Sequence, residues 1–161
     1  MPNQRRPYFP LPVNFPQQVA NEVFPPFVGT ISGEVVVTQR GMPLGVARFP
    51  GKVVDVYMSA LGCGKRDTAV YVSGEVDVKI NGTSCLTTNP RIGAISGELS
   101  AQKTTFASAA DTGIRYGVVD HTANSFTEGD VFTWDFVYNG ETSPATKMHN
   151  ICIIVEVEPT N

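Results

Sequence analysis

From Thr68 to Ile80 the chain alternates with a period of two over thirteen residues. Val70, Val72, Gly74, Val76, Val78 and Ile80 fall on one side, and Ala69, Tyr71, Ser73, Glu75, Asp77 and Lys79 on the other. A helix would scatter these residues around its circumference; a strand with one buried face keeps them sorted. Asn81-Gly82 follows at once, the pair best suited to the two positive φ angles of a type I′ turn, so residues 83–87 are expected to return as the partner of a hairpin. Asn81-Gly82-Thr83 also spells a glycosylation sequon, but the turn accounts for the same residues.

The same period recurs downstream. Phe132, Trp134, Phe136 and Tyr138 share one face of a segment at 131–138, and Ile151, Ile153, Val155 and Val157 share one face at 150–158. Further strands are expected at 33–39, 45–49, 52–60 and 114–120. Turn residues punctuate them at Pro50-Gly51, Gly62 to Gly64, Glu128-Gly129-Asp130 and Asn139-Gly140. About eight short strands at this spacing predict an all-β fold, a two-sheet antiparallel sandwich of the jelly-roll or immunoglobulin-like kind. The segment 97–111 fits no strand pattern. Leu99, Lys103, Phe106 and Ala110 would give one weak helical stripe, and its threonines and serine suit a surface excursion at least as well.

With 161 residues, 42% of them hydrophobic and 17% charged, the chain has enough apolar side chain for one domain with a true core. The net charge of −3 and the lack of any Lys/Arg cluster argue against nucleic acid as a partner. The longest purely apolar run, 151–155, falls far short of the roughly 20 residues a membrane span needs.

Residues 1–30 behave differently and are expected to form an extended arm, with the sandwich at 31–161. They hold seven of the twelve prolines, each of which removes a backbone donor and fixes φ, so neither a helix nor a central strand is expected there. The prolines also interrupt the place where a secretory leader would need an apolar helix after Arg5 and Arg6, so no signal peptide is expected. Apolar side chains are frequent, which solvated linkers usually lack. Arg5, Arg6, Tyr8, Phe9, Phe15, Phe24 and Phe27 are therefore expected to bind a partner surface. At about 3.1 Å per residue thirty residues reach roughly 90 Å, enough to lie on a neighbouring subunit. The other reading wraps the arm over its own domain.

No reaction centre is legible. His121 follows Asp120 directly, and adjacent strand residues face opposite ways; His149 has no partner near in sequence. Cys63, Cys85 and Cys152 are odd in number and widely spaced, which suits neither a disulfide framework nor a zinc motif, so free thiols are expected. Carboxylate pairs can be drawn from Glu75 with Asp77 or from Asp130 with Asp135, but Lys79 continues the first row and points to a solvated face. Gly62-Cys63-Gly64-Lys65 lacks the helix that a phosphate loop requires, and reads as a hairpin connection between 52–60 and 68–80. No catalytic residue, cofactor or metal is expected.

Phe49-Pro50-Gly51-Lys52-Val53-Val54-Asp55-Val56, then residues 76–86, then Phe126-Thr127-Glu128-Gly129-Asp130-Val131 ahead of 151–157, resemble the β-sandwich cement or decoration proteins of tailed-bacteriophage heads. The resemblance covers about residues 45–158. It implies a virion structural protein on the capsid surface, made in the host cytoplasm, whose partners are the major capsid protein and neighbouring copies of itself, as a dimer or trimer, with no nucleic acid and no membrane. Fibre and baseplate modules share these turn and strand patterns. A carbohydrate-binding module is a further alternative, with Tyr57, Tyr71, Tyr116 or Trp134 as sugar platforms.

Overall fold

The computed structural model describes residues 26–64, 72–94, 103–105, 113–140 and 147–160. Its strands, in chain order, begin with β1 (Phe27–Val35), β2 (Gln39–Val46), β3 (Gly51–Cys63) and β4 (Ser73–Ile80). Short pieces follow: β5 (Thr83–Ser84), β6 (Leu86–Thr88), β7 (Arg91–Gly93), β8 (Lys103–Thr104), β9 (Ile114–Arg115), β10 (Val118–Val119) and β11 (Ser125–Phe126). The last two are long, β12 (Val131–Asn139) and β13 (Met148–Pro159).

These strands form two antiparallel sheets packed face to face, with a small β6–β10 pair beside them. Sheet I has the order β1-β13-β3-β11, with β8 also on β3; sheet II has the order β2-β12-β4-β7-β9, with β5 also on β4. Among the seven long or framing strands β1, β2, β3, β4, β11, β12 and β13, every connection passes from one sheet to the other. The expected hairpin between 52–60 and 68–80 is therefore corrected: β3 and β4 lie in opposite sheets. A short glycine-containing connection looks the same in sequence whether it turns within a sheet or crosses between two.

The expected faces of β4, β12 and β13 are present. Val72, Val76, Val78 and Ile80 are buried, as are Phe132, Trp134, Phe136, Ile151, Ile153 and Val155. The two inner faces meet through aromatic contacts: Phe27 of β1 stacks on Phe132 of β12 at 4.4 Å, and Phe126 meets the same ring edge-on at 5.1 Å. The Asn81-Gly82 turn has φ of 50° and 85°, the pair of positive values a type I′ turn requires. Its register pairs Ile80 with Thr83. The Asn81 amide ties the turn to β12, accepting from the Val131 N–H at 2.9 Å and donating to Asp130 Oδ1 at 2.7 Å.

Other boundaries moved. The sheet begins at Phe27, so the last residues of the expected arm, 27–30, belong to an edge strand, and the strands expected at 33–39 and 45–49 are displaced into β1 and β2. Both accept residues that would break a central strand. Gly33, at φ 81°, sits in a bulge of β1 and donates its N–H to Asn150 Oδ1 at 2.8 Å. Pro43 lies in β2, which is an edge and so tolerates its missing donor. The strand expected at 114–120 is split into β9 and β10, which pair with different partners. Residues 68–71 of the long alternating segment, and most of 97–111, lie outside the described residues.

Candidate functional site

The two outer faces of the sandwich differ in chemistry. On sheet II, Asp135 of β12 stands directly opposite Asp77 of β4. Like charges so placed repel, and the local sequence answers with Lys79 two residues on. Its Nζ donates to Asp135 Oδ2 at 2.7 Å and lies 3.8 Å from Asp77 Oδ2. Gly41 donates its N–H to Asp135 Oδ1 at 2.8 Å, and Arg40 approaches Oδ2 at 3.3 Å. Burial alone would raise the Asp135 carboxyl; the bonds from Lys79 and Gly41 and the charges of Lys79 and Arg40 outweigh it and hold the group below the usual carboxylate range. Nearby, Arg115 Nη2 pairs with Glu75 Oε2 at 2.6 Å, Asn89 donates to Glu75 Oε1 at 3.2 Å, and Ser84 donates to Asp77 Oδ1 at 2.5 Å. The expected solvated row of Glu75, Asp77 and Lys79 is thus half-buried and ion-paired, edging an open polar groove of about 470 Å³.

The second carboxylate pair is divided between two structural tasks. Asp130 accepts from the Thr127 N–H at 2.7 Å and from Asn81, which keep its carboxyl low and close the turn before β12, while Asp135 serves sheet II. Asp120 accepts from Thr122 rather than orienting His121, which lies in a turn. His149 covers Gly62, where any side chain would collide with the imidazole ring. Among the described residues no three His, Cys, Asp or Glu side chains are grouped to hold a metal ion, and no helix is long and apolar enough to cross a membrane. Cys63, Cys85 and Cys152 are thiols, the first two buried. Burial, with help from Asp77, pushes the Cys85 thiol up to about 12.

Sheet I presents a different outer surface. The register places Val28 opposite Ile154 and Ile154 opposite Tyr57, so three strands contribute one apolar row across the sheet. It is open to solvent: Val28 is 51% exposed and Ile154 36%. On one side runs a row of small residues, Thr30, Cys152, Ser59 and Thr104, also in register. On the other side Asp55 and Glu156 stand opposite each other. Tyr57, Met58, Ser59, Thr104, Cys152, Ile154 and Glu156 line a groove of about 220 Å³. Burial, and a hydrogen bond to Asp55, push the Tyr57 hydroxyl up to about 12, so it stays protonated at neutral pH.

This row escaped the sequence because its members are distant in the chain and each strand's alternation drew notice to the opposite face. The signal was present: Ile154 interrupts an otherwise polar series of Asn150, Cys152 and Glu156, and Tyr57 sits between Asp55 and Ser59. Of the residues expected to bind a partner, Arg5, Arg6, Tyr8, Phe9, Phe15 and Phe24 lie outside the described residues. Phe27 stands at the start of β1, half-buried, with its ring stacked on Phe132 of its own domain. Of the aromatics considered as sugar platforms, Trp134 is 1% exposed and faces inward, Tyr71 lies outside the described residues, and Tyr116 is exposed. Comparison of the chain with protein-family models, with curated proteins and with solved structures finds no match.

Proposed function

We propose that the chain is a virion structural protein, a cement or decoration protein that stabilises a capsid shell by joining surfaces, and not an enzyme. The observation that carries this reading is the Val28–Ile154–Tyr57 row. It is apolar and contiguous across three strands, with Val28 and Ile154 exposed and Tyr57 half-buried, on a face that the fold does not need for its own core. Such a row supports a contact at this face. Burying a few hundred Å² there is worth several kcal/mol at about 25 cal/mol per Å². That area is below the roughly 800 Å² per partner of a standard interface, so the row needs supplementing, and the apolar arm supplies the kind of surface required. Individually weak contacts repeated over a shell lattice add through effective concentration. The likeness of residues 45–158 to phage decoration proteins supports the same reading.

Cryo-electron microscopy of particles of the virus that encodes the chain tests it. The sandwich is expected as density on the outer surface of the shell, and particles assembled without it are expected to lose their contents at lower temperature. Purified particles that lack the chain altogether would refute the reading.

A further inference from the structure

We propose that the outer face of sheet I is the seat for the N-terminal arm of a second copy of this chain, whose aromatic residues lie across the Val28–Ile154–Tyr57 row while its arginines meet Asp55 and Glu156. This rests on the reading of the protein as an assembly component and names the partner of its contact surface.

Four observations converge on this occupant. The groove of about 220 Å³ is larger than the roughly 150 Å³ cavity that accommodates a benzene ring, so an aromatic side chain fits it. Tyr57, Met58, Ile154 and the small residues Ser59, Thr104 and Cys152 offer such a ring an apolar bed, with the Glu156 carboxylate also in the lining. Charge is complementary: Glu156 lines the groove and stands opposite Asp55 on the neighbouring strand, an arrangement that favours a cation between them, and Arg5-Arg6 precedes Tyr8-Phe9 in the arm.

The length of the chain before β1 lets the arm reach a second copy, and the cross-link below separates that copy from the chain's own face. Phe15 is eleven residues from Pro26, about 34 Å in polyproline geometry, whereas the row begins on β1 itself and crosses to β3 within about 10 Å. Docking on the face also explains the edges. β1 is bulged at Gly33 and β2 carries Pro43 and two register shifts, so neither invites an added strand, and the arm's own prolines could not complete a ladder.

Cys152 provides the test, since it is the one partly exposed thiol and it lines the groove. Full-length chain carrying Phe15→Cys and Cys152→Ser is mixed with wild-type chain and oxidised; Phe9→Cys is treated in the same way. A disulfide between the introduced cysteine and Cys152, mapped by peptide mass, can then form only between copies. It is expected, together with an oligomer in sedimentation whose dissociation constant rises at least about tenfold in Ile154→Asp. In a Phe15→Cys chain that retains Cys152, a link formed only within one chain would overturn the assignment to a second copy. So would an oligomer that Ile154→Asp leaves intact and that gives no link. A monomeric chain that still attaches to shells, and loses attachment in Ile154→Asp, would overturn the arm as occupant while leaving the shell reading in place. A chain absent from particles would remove the shell reading, independently of the cross-link.

Discussion

Replacing Gly29 by alanine tests the packing of one sheet on the other. Gly29 lies in β1 of sheet I, and a Cβ built there falls 2.8 Å from both Cε2 and Nε1 of Trp134 and 3.0 Å from Leu44 Cδ2. Optimal carbon contacts are about 3.5–4.0 Å, so the methyl overlaps the indole edge by about 1 Å. The indole is 1% exposed and belongs to the core cluster, where close packing resists its displacement. Overpacking of this kind costs about 1–3 kcal/mol, and the entropic benefit of alanine over glycine returns about 0.4–1 kcal/mol, which leaves a net loss of about 1–2 kcal/mol. For a domain of this size that lowers the melting midpoint by about 2–8 °C. Trp134→Phe removes the indole edge that the methyl strikes. In that background Gly29→Ala is expected to be neutral or mildly stabilising, a coupling of about 1–3 kcal/mol. Urea unfolding followed by circular dichroism measures all four corners of the cycle, and the single tryptophan adds a fluorescence readout in the two variants that keep it. An equal cost of Gly29→Ala in both backgrounds would show that β1 does not lie over β12, and the sandwich packing would be refuted.

Acid should weaken sheet II through Asp135. Its folded carboxyl titrates below the unfolded value of about 3.9, so its contribution is present above that pH and is lost as pH falls through the lower folded value. Urea midpoints of the wild type should fall more steeply below pH ~4 than those of Asp135→Asn, and parallel curves would refute this role. Ellman's reagent should modify Cys152 alone, and slowly, in the native protein, because burial raises its thiol, and all three cysteines in denaturant; rapid modification of Cys85 would contradict its burial. Removing residues 2–25 should leave the dichroism spectrum and melting midpoint close to wild type, whereas Phe27→Ala should cost about 2 kcal/mol for a half-buried ring stacked on Phe132. A truncated chain that unfolds would show that the arm completes its own core.

Alternation along a strand specifies which side chains face inward, and here it did so wherever it was sustained. Val72 to Ile80, Phe132 to Phe136 and Ile151 to Val155 all point as their period requires, and a one-residue slip would have exposed each set. Alternation does not say which strand lies next to which. That is why β3 and β4 read as a hairpin although they belong to opposite sheets. β7, β9, β10 and β11 have only two or three residues each, too few for any period to register. At β1 and β2 the local chemistry of Gly33 and Pro43 favoured a break, and the edge position of both strands overrode it. The candidate contact row was the least legible feature, because Val28, Tyr57 and Ile154 become neighbours only through the β1-β13-β3 order.

The Asn81-Gly82 turn bears on how the protein ages. An asparagine followed by glycine is the dipeptide most prone to lose its amide, because the unhindered glycine nitrogen attacks the side-chain carbonyl carbon to close a succinimide. Here both ends of that amide are engaged, the oxygen by the Val131 N–H and the nitrogen by Asp130. Ring closure must first release both bonds and turn the carbonyl away from β12. The contact that locks the hairpin to its neighbour therefore also slows its chemical decay. Asp130→Ala, which frees the nitrogen, should accumulate isoaspartate at residue 81 faster than wild type on prolonged storage at neutral pH.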